Sequence, residues 1–335
     1  AGGMEGMFER HEQRGCRASD YLRFFNQRVA DLLLAYARAV KEASDRRKLV
    51  SAMFGYTYSY PIGQLSPTHS GHMDNLRVLE SPDVDLLHAP YDYYNHCLGG
   101  GHYSQYTVDS ILLHGKVFAD QIDSKTHVHV LSPALAESGG NANTPWESEQ
   151  ILKRDVSFSL SRNAYHYYYE MCPPCWGGWH GVVPFRPMDF SPANVQEIMC
   201  ALEKVSRTNA EESPASATEV ALFTSRQSNY YRAYDKRYAA LFLQALRSYF
   251  LPYTAVPIHE YFLEDFERIP HDYKVYLFPD ANFVPAGMRA SMRTRLERAG
   301  ATAVWFYAPG YLDENGASLA NMEELTGMRL GMNAT

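Results

Sequence analysis

Asp120, Gln121 and Asp123 stand together in the run His114-Gly-Lys-Val-Phe-Ala-Asp-Gln-Ile-Asp-Ser-Lys-Thr-His127, with Lys125 just behind them. A carboxylate at such a place can attack or move a proton. A neutral amide donates and accepts hydrogen bonds but is a poor nucleophile. Val117, Phe118 and Ala119 read as a short buried strand, because a β-branched and an aromatic residue follow a Gly-Lys turn. Parallel α/β enzymes hold their chemistry at the carboxyl ends of buried strands. Gln121 puts an amide where a working carboxylate is expected.

These groups need elements to position them. Residues 20–43 carry Tyr21, Leu22, Phe25, Val29, Leu32, Tyr36 and Val40 at helical spacing, which predicts a helix capped by Ser19 or Asp20. Apolar runs predict strands over Leu49–Tyr60, Asp83–Pro90 and Ala164–Met171, beside Val117–Ala119. Helices are expected near 70–80 and 103–113, and from Thr144 to about Leu160. Thr144 as cap, Pro145 at the first position and Glu147 at the third mark that last start. Each strand exit carries aromatic and polar residues: Tyr56 after the first, then Tyr91, Asp92, Tyr93 and His96. The Asp120–Asp123 group follows the third, and Glu170, Trp176, Trp179 and His180 follow the fourth. Strands alternating with helices make a parallel α/β sheet. The stretch is shorter than the ~250 residues of a complete (β/α)8 TIM barrel and suits its back half.

Periodicity fades over Arg207–Thr218, which predicts one domain over 1–206 and another over 218–335. In the second, Glu219–Thr224, Tyr253–His259, Tyr273–Phe278 and Ala303–Tyr307 read as strands. Tyr238–Phe250 and Pro285–Ala299 read as helices, the latter ended by Gly300. This is a flavodoxin-like order of elements.

Composition narrows the function classes. A chain of 335 residues is long enough for two domains. A net charge of −7 with scattered Lys and Arg argues against nucleic acid, which needs a concentrated basic face. No apolar run approaches the ~20 residues that span a bilayer, so no membrane partner is expected. The start lacks both an initiator methionine and the pattern of a signal peptide; a fragment or processed chain is expected, and a cytoplasmic location is favoured. Five cysteines, an odd number, do not suggest a disulfide framework. The 25 tyrosines fit either a wet, ring-lined cleft or a ring-filled core.

The strand exits together resemble the family 42 glycoside hydrolases and related β-galactosidase-like enzymes. The resemblance rests on Phe54-Gly-Tyr56, Ser81-Pro-Asp-Val-Asp85, Ala89-Pro-Tyr-Asp-Tyr93, His114-Gly-Lys116, Asp123-Ser-Lys-Thr-His127 and Trp176-Gly-Gly-Trp179. The second module resembles the trimerisation domain that follows the barrel in that family. There the residues are Ala221-Leu-Phe223, Asp272-Tyr-Lys-Val-Tyr276 and Val304-Trp-Phe-Tyr-Ala-Pro-Gly-Tyr311. The resemblance implies the C-terminal part of a TIM barrel followed by a flavodoxin-like, class I amidotransferase-like domain. It also implies hydrolysis of a β-galactoside-like O-glycosyl bond by two glutamates, an acid/base after the fourth strand and a nucleophile after the seventh. With the predicted strands as five to eight, the nucleophile position falls on Gln121. Retaining cleavage needs two carboxyls about 5–5.5 Å apart, and Asp120 and Asp123 are the acids left to substitute. The alternative is a noncatalytic carbohydrate-binding or assembly protein.

On the same resemblance Tyr56, Tyr91, Asp92, Tyr93, His96, Glu170, Trp176, Trp179 and His180 form a substrate-binding set. Trp176 and Trp179 either offer a platform to a sugar ring or plug the barrel mouth. The tyrosines, Asp92 and His96 either bond hydroxyls or shape loops, and Glu170 orients a ligand or pairs in the interior. The implied partners are a carbohydrate and further copies of the chain, as a trimer; no cofactor is implied. Cys172-Pro-Pro-Cys175 is a weak metal or redox signal, since zinc would need two further ligands and only Cys97, His96 or His180 stand out. No cysteine follows Cys200, which excludes amidotransferase chemistry from the second module.

Overall fold

A computed structural model describes residues 16–58, 67–91, 98–122, 127, 142–169, 193–212, 217–232 and 257–331. Helix α1, Cys16–Ala43, buries Ser19, Leu22, Asn26, Ala30, Ala37 and Lys41 along one side. It starts before the expected cap. Ser19 lies inside it and donates its hydroxyl to the Tyr230 carbonyl at 2.6 Å instead of capping.

Four strands, β1 (Ser51–Met53), β2 (Leu86–Pro90), β3 (Val117–Ile122) and β4 (Tyr165–Tyr168), pair in parallel in that order. β1 is far shorter than the apolar run Leu49–Tyr60 predicts, because the chain turns at Gly55, whose carbonyl takes the Thr57 N–H. β3 runs past Ala119, so Asp120 and Gln121 lie within the strand. Helices α2 (Asn75–Glu80), α3 (Val108–Leu113) and α4 (Pro145–Ser161) follow β1, β2 and β3. α4 starts as its sequence predicts, with Thr144 Oγ1 accepting from the Glu147 N–H at 3.2 Å. The Glu147 carboxylate turns back one residue further than a capping box requires, to the Asn143 N–H at 2.7 Å.

Alternation along the strands sorts the sheet's two faces. Ala52, Phe54, Leu87, Ala89 and Phe118 pack with Ala30 and Ala37 of α1, Val78 and Leu79 of α2 and Ile111 of α3. On the other face Ser51, Met53, Val117 and Tyr165 are exposed. A parallel sheet is ordinarily covered on both sides. Parallel strands with helices on one side, and with no described helix on the other, are compatible with part of a (β/α)8 barrel; on that other face Pro90, Ala119 and Gln121, toward the strand ends, are buried.

Helix α5, Ala193–Glu212, runs beyond Arg207, where the periodicity fades; the Glu203–Arg207 pair at one-turn spacing supports the extension. A second sheet contains β5 (Val220–Thr224), β6 (Ile258–Phe262), β7 (Val275–Phe278) and β8 (Thr302–Trp305), parallel in the order β6-β5-β7-β8. Helices α6 (Arg226–Tyr231), α7 (Ala286–Ala299) and α8 (Leu319–Thr326) accompany it. Gly300 closes α7 at φ 58°, a left-handed conformation that favours glycine. A short antiparallel hairpin joins β9 (Leu312–Asp313) to β10 (Gly316–Ala317). β8 stops at Trp305 because Tyr307 and Ala308 take positive φ. β6 lies later than Tyr253–His259: it continues through Glu260, whose carboxylate accepts from the Tyr58 hydroxyl at 3.1 Å. The predicted helix Tyr238–Phe250 lies outside the described residues.

The two sheets meet at α3. β6 is an edge strand, and edge N–H groups need partners. Asp109 Oδ2 accepts from the Glu260 N–H at 2.7 Å, and Ser110 Oγ from the Phe262 N–H at 2.8 Å. Arg162 pairs with Asp109 and also donates to the Ile258 carbonyl. His114 Nε2 lies 2.8 Å from Asp265 Oδ1. Asp109→Ala strips a buried guanidinium of its carboxylate and should cost about 3–5 kcal/mol, whereas Ser110→Ala should cost about 1 kcal/mol. Urea unfolding checks both, and equal small losses would contradict this account of the edge.

Candidate functional site

At the C-terminal end of β3 the pleat sends Asp120 and Gln121 to opposite faces. Gln121 shares its face with Val117 and Ala119 and stands in register with Pro90 of β2 and Tyr167 of β4. The Tyr167 hydroxyl donates to Gln121 Oε1 at 2.8 Å. His88 Nδ1 lies 2.7 Å from the same hydroxyl. A phenol has one hydrogen to give, so His88 Nδ1 carries the hydrogen of that second bond and donates it to Tyr167. Burial holds the His88 pKa below its ordinary value, which keeps the ring neutral. Gln121, which is itself buried, and the half-buried Tyr167 and His88 thus form a chain of neutral donors and acceptors on the face away from the helices. It can orient polar groups but offers no carboxylate for attack.

Asp120 is wholly buried on the helix side. Its Oδ2 lies 2.6 Å from His102 Nε2 and accepts from Ser159 Oγ of α4 at 2.8 Å. His102 Nδ1 lies 3.1 Å from Asp155 Oδ1, close enough for an ion pair but not aligned as a hydrogen bond. Arg154 binds Asp155 at 2.8 Å and reaches the Gly100 carbonyl at 3.2 Å. Desolvation pulls the His102 pKa down, but the carboxylates Asp120 and Asp155 outweigh it and push it up to about 9. His102 is therefore a buried imidazolium at neutral pH, stacked on the Tyr91 ring at 5.4 Å. Asp120 is one side chain of this clamp, which ties β3 to α4 and, through Arg154, to the loop at Gly100. Tyr91 is likewise buried on this side.

Tyr56 sits at the exit of β1, half-buried. Its N–H donates to His72 Nδ1 at 3.1 Å, its carbonyl accepts from Ser70 Oγ at 3.0 Å, and its ring stacks on His72 at 5.6 Å. Desolvation pushes the His72 pKa down to about 4, so the ring is neutral and can accept that N–H. The preceding Gly55 is needed for space, since a Cβ there would stand 2.1 Å from the Ala89 Cβ. Asp92, Tyr93, His96, Asp123, Glu170, Trp176, Trp179 and His180, with Cys172 and Cys175, lie outside the described residues. Among the described residues, no cluster of three His, Cys, Asp or Glu side chains could hold a metal ion, and no helix is long and apolar enough to cross a membrane.

His88, His102, Asp155, Ser159 and Tyr167 escape a reading of local motifs. A signal for part of the clamp exists: Ser148, Asp155 and Ser159 lie at helical spacing on the buried side of α4, where apolar residues are the rule.

The two histidines shape stability against pH in opposite ways. His102 has a folded pKa raised from 6.5 to about 9, so its contribution is complete below 6.5 and lost as pH rises through 9. His72 has a folded pKa lowered from 6.5 to about 4, so the unfolded chain binds the extra proton and stability falls as pH drops from 6.5 toward 4. Melting temperature measured from pH 4 to 10 should show both limbs. His102→Gln should flatten the alkaline limb and His72→Gln the acid one; an unchanged alkaline limb in His102→Gln would rule out the buried imidazolium.

No protein-family profile and no curated protein matches the chain. Among solved structures it is similar to Gan42B, a GH42 beta-galactosidase, at 17% identity and a TM-score of 0.39, covering 75% of this chain. A catalytic mutant of Gan42B from G. stearothermophilus gives 16% identity, the same coverage and a TM-score of 0.39. The chain spans 41% of the length of these structures.

Proposed function

We propose that the face of the first sheet away from the helices is one wall of a carbohydrate cleft in a glycoside-hydrolase-like barrel, and that this wall binds the sugar without cleaving it. The observation that carries the reading is Gln121. Its side chain lies at the C-terminal end of β3 on the face away from the helices, buried and hydrogen-bonded to the half-buried Tyr167, with His88 next in the chain. Amide, phenol and imidazole are the neutral groups that bond sugar hydroxyls, each able to donate and accept. The motifs at the strand exits support a β-galactoside-like ligand. Retaining cleavage needs a nucleophilic carboxylate beside the anomeric carbon. Gln121 cannot supply one, and Asp120 is committed to His102 on the far face. Asp123 remains the acid of this segment that could attack, in which case a longer parent protein would hydrolyse the O-glycosyl bond.

The second sheet's order, with the first strand between the second and third and the fourth outermost, supports a flavodoxin-like module. By resemblance its work is assembly into a trimer.

Calorimetric titration with lactose tests the reading, alongside an assay on an aryl β-galactoside. The protein should bind lactose and release no aryl alcohol. Gln121→Ala should weaken binding about tenfold, which is ~1.4 kcal/mol, and Tyr167→Phe should weaken it severalfold. Lactose affinity unchanged in Gln121→Ala would overturn the placement of the wall. Aryl-galactoside turnover that survives that substitution would overturn the noncatalytic assignment.

A further inference from the structure

The three polar groups at the end of the first sheet meet across a strand. His88 of β2 stands in register with Ala119 of β3, and Tyr167 of β4 with Gln121. Neighbouring strands lie about 4.8 Å apart, so β2 and β4 are two spacings from each other with β3 between them. The Tyr167 side chain crosses that gap to bring its hydroxyl to His88. Ala119 has a single methyl group on this face and leaves the path open.

The hydrogen bonds then have one sense. Tyr167 gives its hydrogen to Gln121 Oε1 at 2.8 Å, so at 2.7 Å it receives one from His88 Nδ1. Burial keeps that ring neutral, so it has no second hydrogen and Nε2 is left with its lone pair. The Gln121 oxygen is engaged, while its amide nitrogen has two hydrogens to give. Among the described residues neither the Gln121 nitrogen nor His88 Nε2 takes a further partner, and neither is sealed from the surface. The chain of groups therefore ends in donors at Gln121 and in a lone acceptor at His88.

We infer that these two ends read a pair of sugar hydroxyls with a direction: the Gln121 amide gives a hydrogen to one hydroxyl oxygen, and His88 Nε2 takes the hydrogen of another. This rests on the carbohydrate reading of the same face and adds which end discriminates. A hydroxyl can fill either role, but its replacements cannot. Fluorine accepts weakly and never donates, and a hydrogen does neither. Fluorine therefore serves in part at the Gln121 end, whereas at His88 it meets a lone pair and serves no better than hydrogen. His88 sets the specificity, and Tyr167 positions it by fixing the tautomer of the ring.

Two measurements on the full chain test this. The nitrogen shifts of the His88 ring should place its hydrogen on Nδ1. Titration calorimetry with methyl β-galactoside and its monodeoxy and monofluoro derivatives should find one hydroxyl whose loss weakens binding about tenfold, whether hydrogen or fluorine replaces it. At a second hydroxyl fluorine should restore part of the loss. His88→Asn keeps a donor for Tyr167 and drops the outer nitrogen. It should bind the parent sugar about tenfold more weakly, and the first deoxy sugar no worse than the parent. The ring shifts and the sugar series use the wild-type chain and decide the matter if His88→Asn does not fold. A hydrogen on Nε2, fluorine that restores affinity at every hydroxyl, or parent-sugar affinity unchanged in His88→Asn would overturn this inference and leave the sugar wall standing. No binding of any galactoside to the wild-type chain would overturn the carbohydrate reading and this inference with it.

Discussion

Adjacent side chains of a β-strand point to opposite faces, and at β3 this constraint decides what the first sheet can do. Asp120 goes inward to His102 and Ser159, while Gln121 goes to the opposite face beside Tyr167. A slip of one residue would exchange them. It would leave His102 as a cation beside Asp155 without Asp120, and put an unpartnered amide among helices. The buried ion cluster thus pins the register, and the register keeps the Asp120 carboxylate off the face that carries Gln121. An acid one residue away in sequence is beyond reach of the site by the whole thickness of the sheet.

The same helix that covers this sheet also fixes the second one. Ile111 of α3 is part of the first core, and Asp109 and Ser110, next to it, satisfy the outer edge of β6. β6 pairs with β5, whose end at Thr224 leads into Ser225, the cap of α6. Tyr58, beyond the end of β1, reaches β6 through its hydroxyl, which donates to the Glu260 carboxylate at 3.1 Å. Both sheets are therefore held on one backbone framework, and loosening α3 would disturb both.

Local signals made part of this legible. Thr144, Pro145 and Glu147 mark the start of α4 because capping is settled within four residues, and Gly300 marks the end of α7 for the same reason. The apolar runs locate the strands but not their ends. Asp120 and Gln121 read as an exit loop, since nothing local shows that a buried partner lets an aspartate stay in a strand. Glu260 hides the extent of β6 in the same way, because its partner Tyr58 lies far along the chain. The clamp joins a loop histidine, a strand aspartate and two helix residues, and tertiary packing alone brings them together. Ser19 shows the reverse case, a good local cap used instead to hold Tyr230.

The most direct test of the central claim is to watch both faces of β3 while a sugar is added. Solution NMR with labelled glutamine side-chain amides and aspartate carboxyls, recorded across a lactose titration, reports each face separately. The Gln121 amide should shift in a saturable way while the Asp120 carboxyl resonance stays still. A saturable shift at Asp120 with Gln121 unmoved would contradict the account.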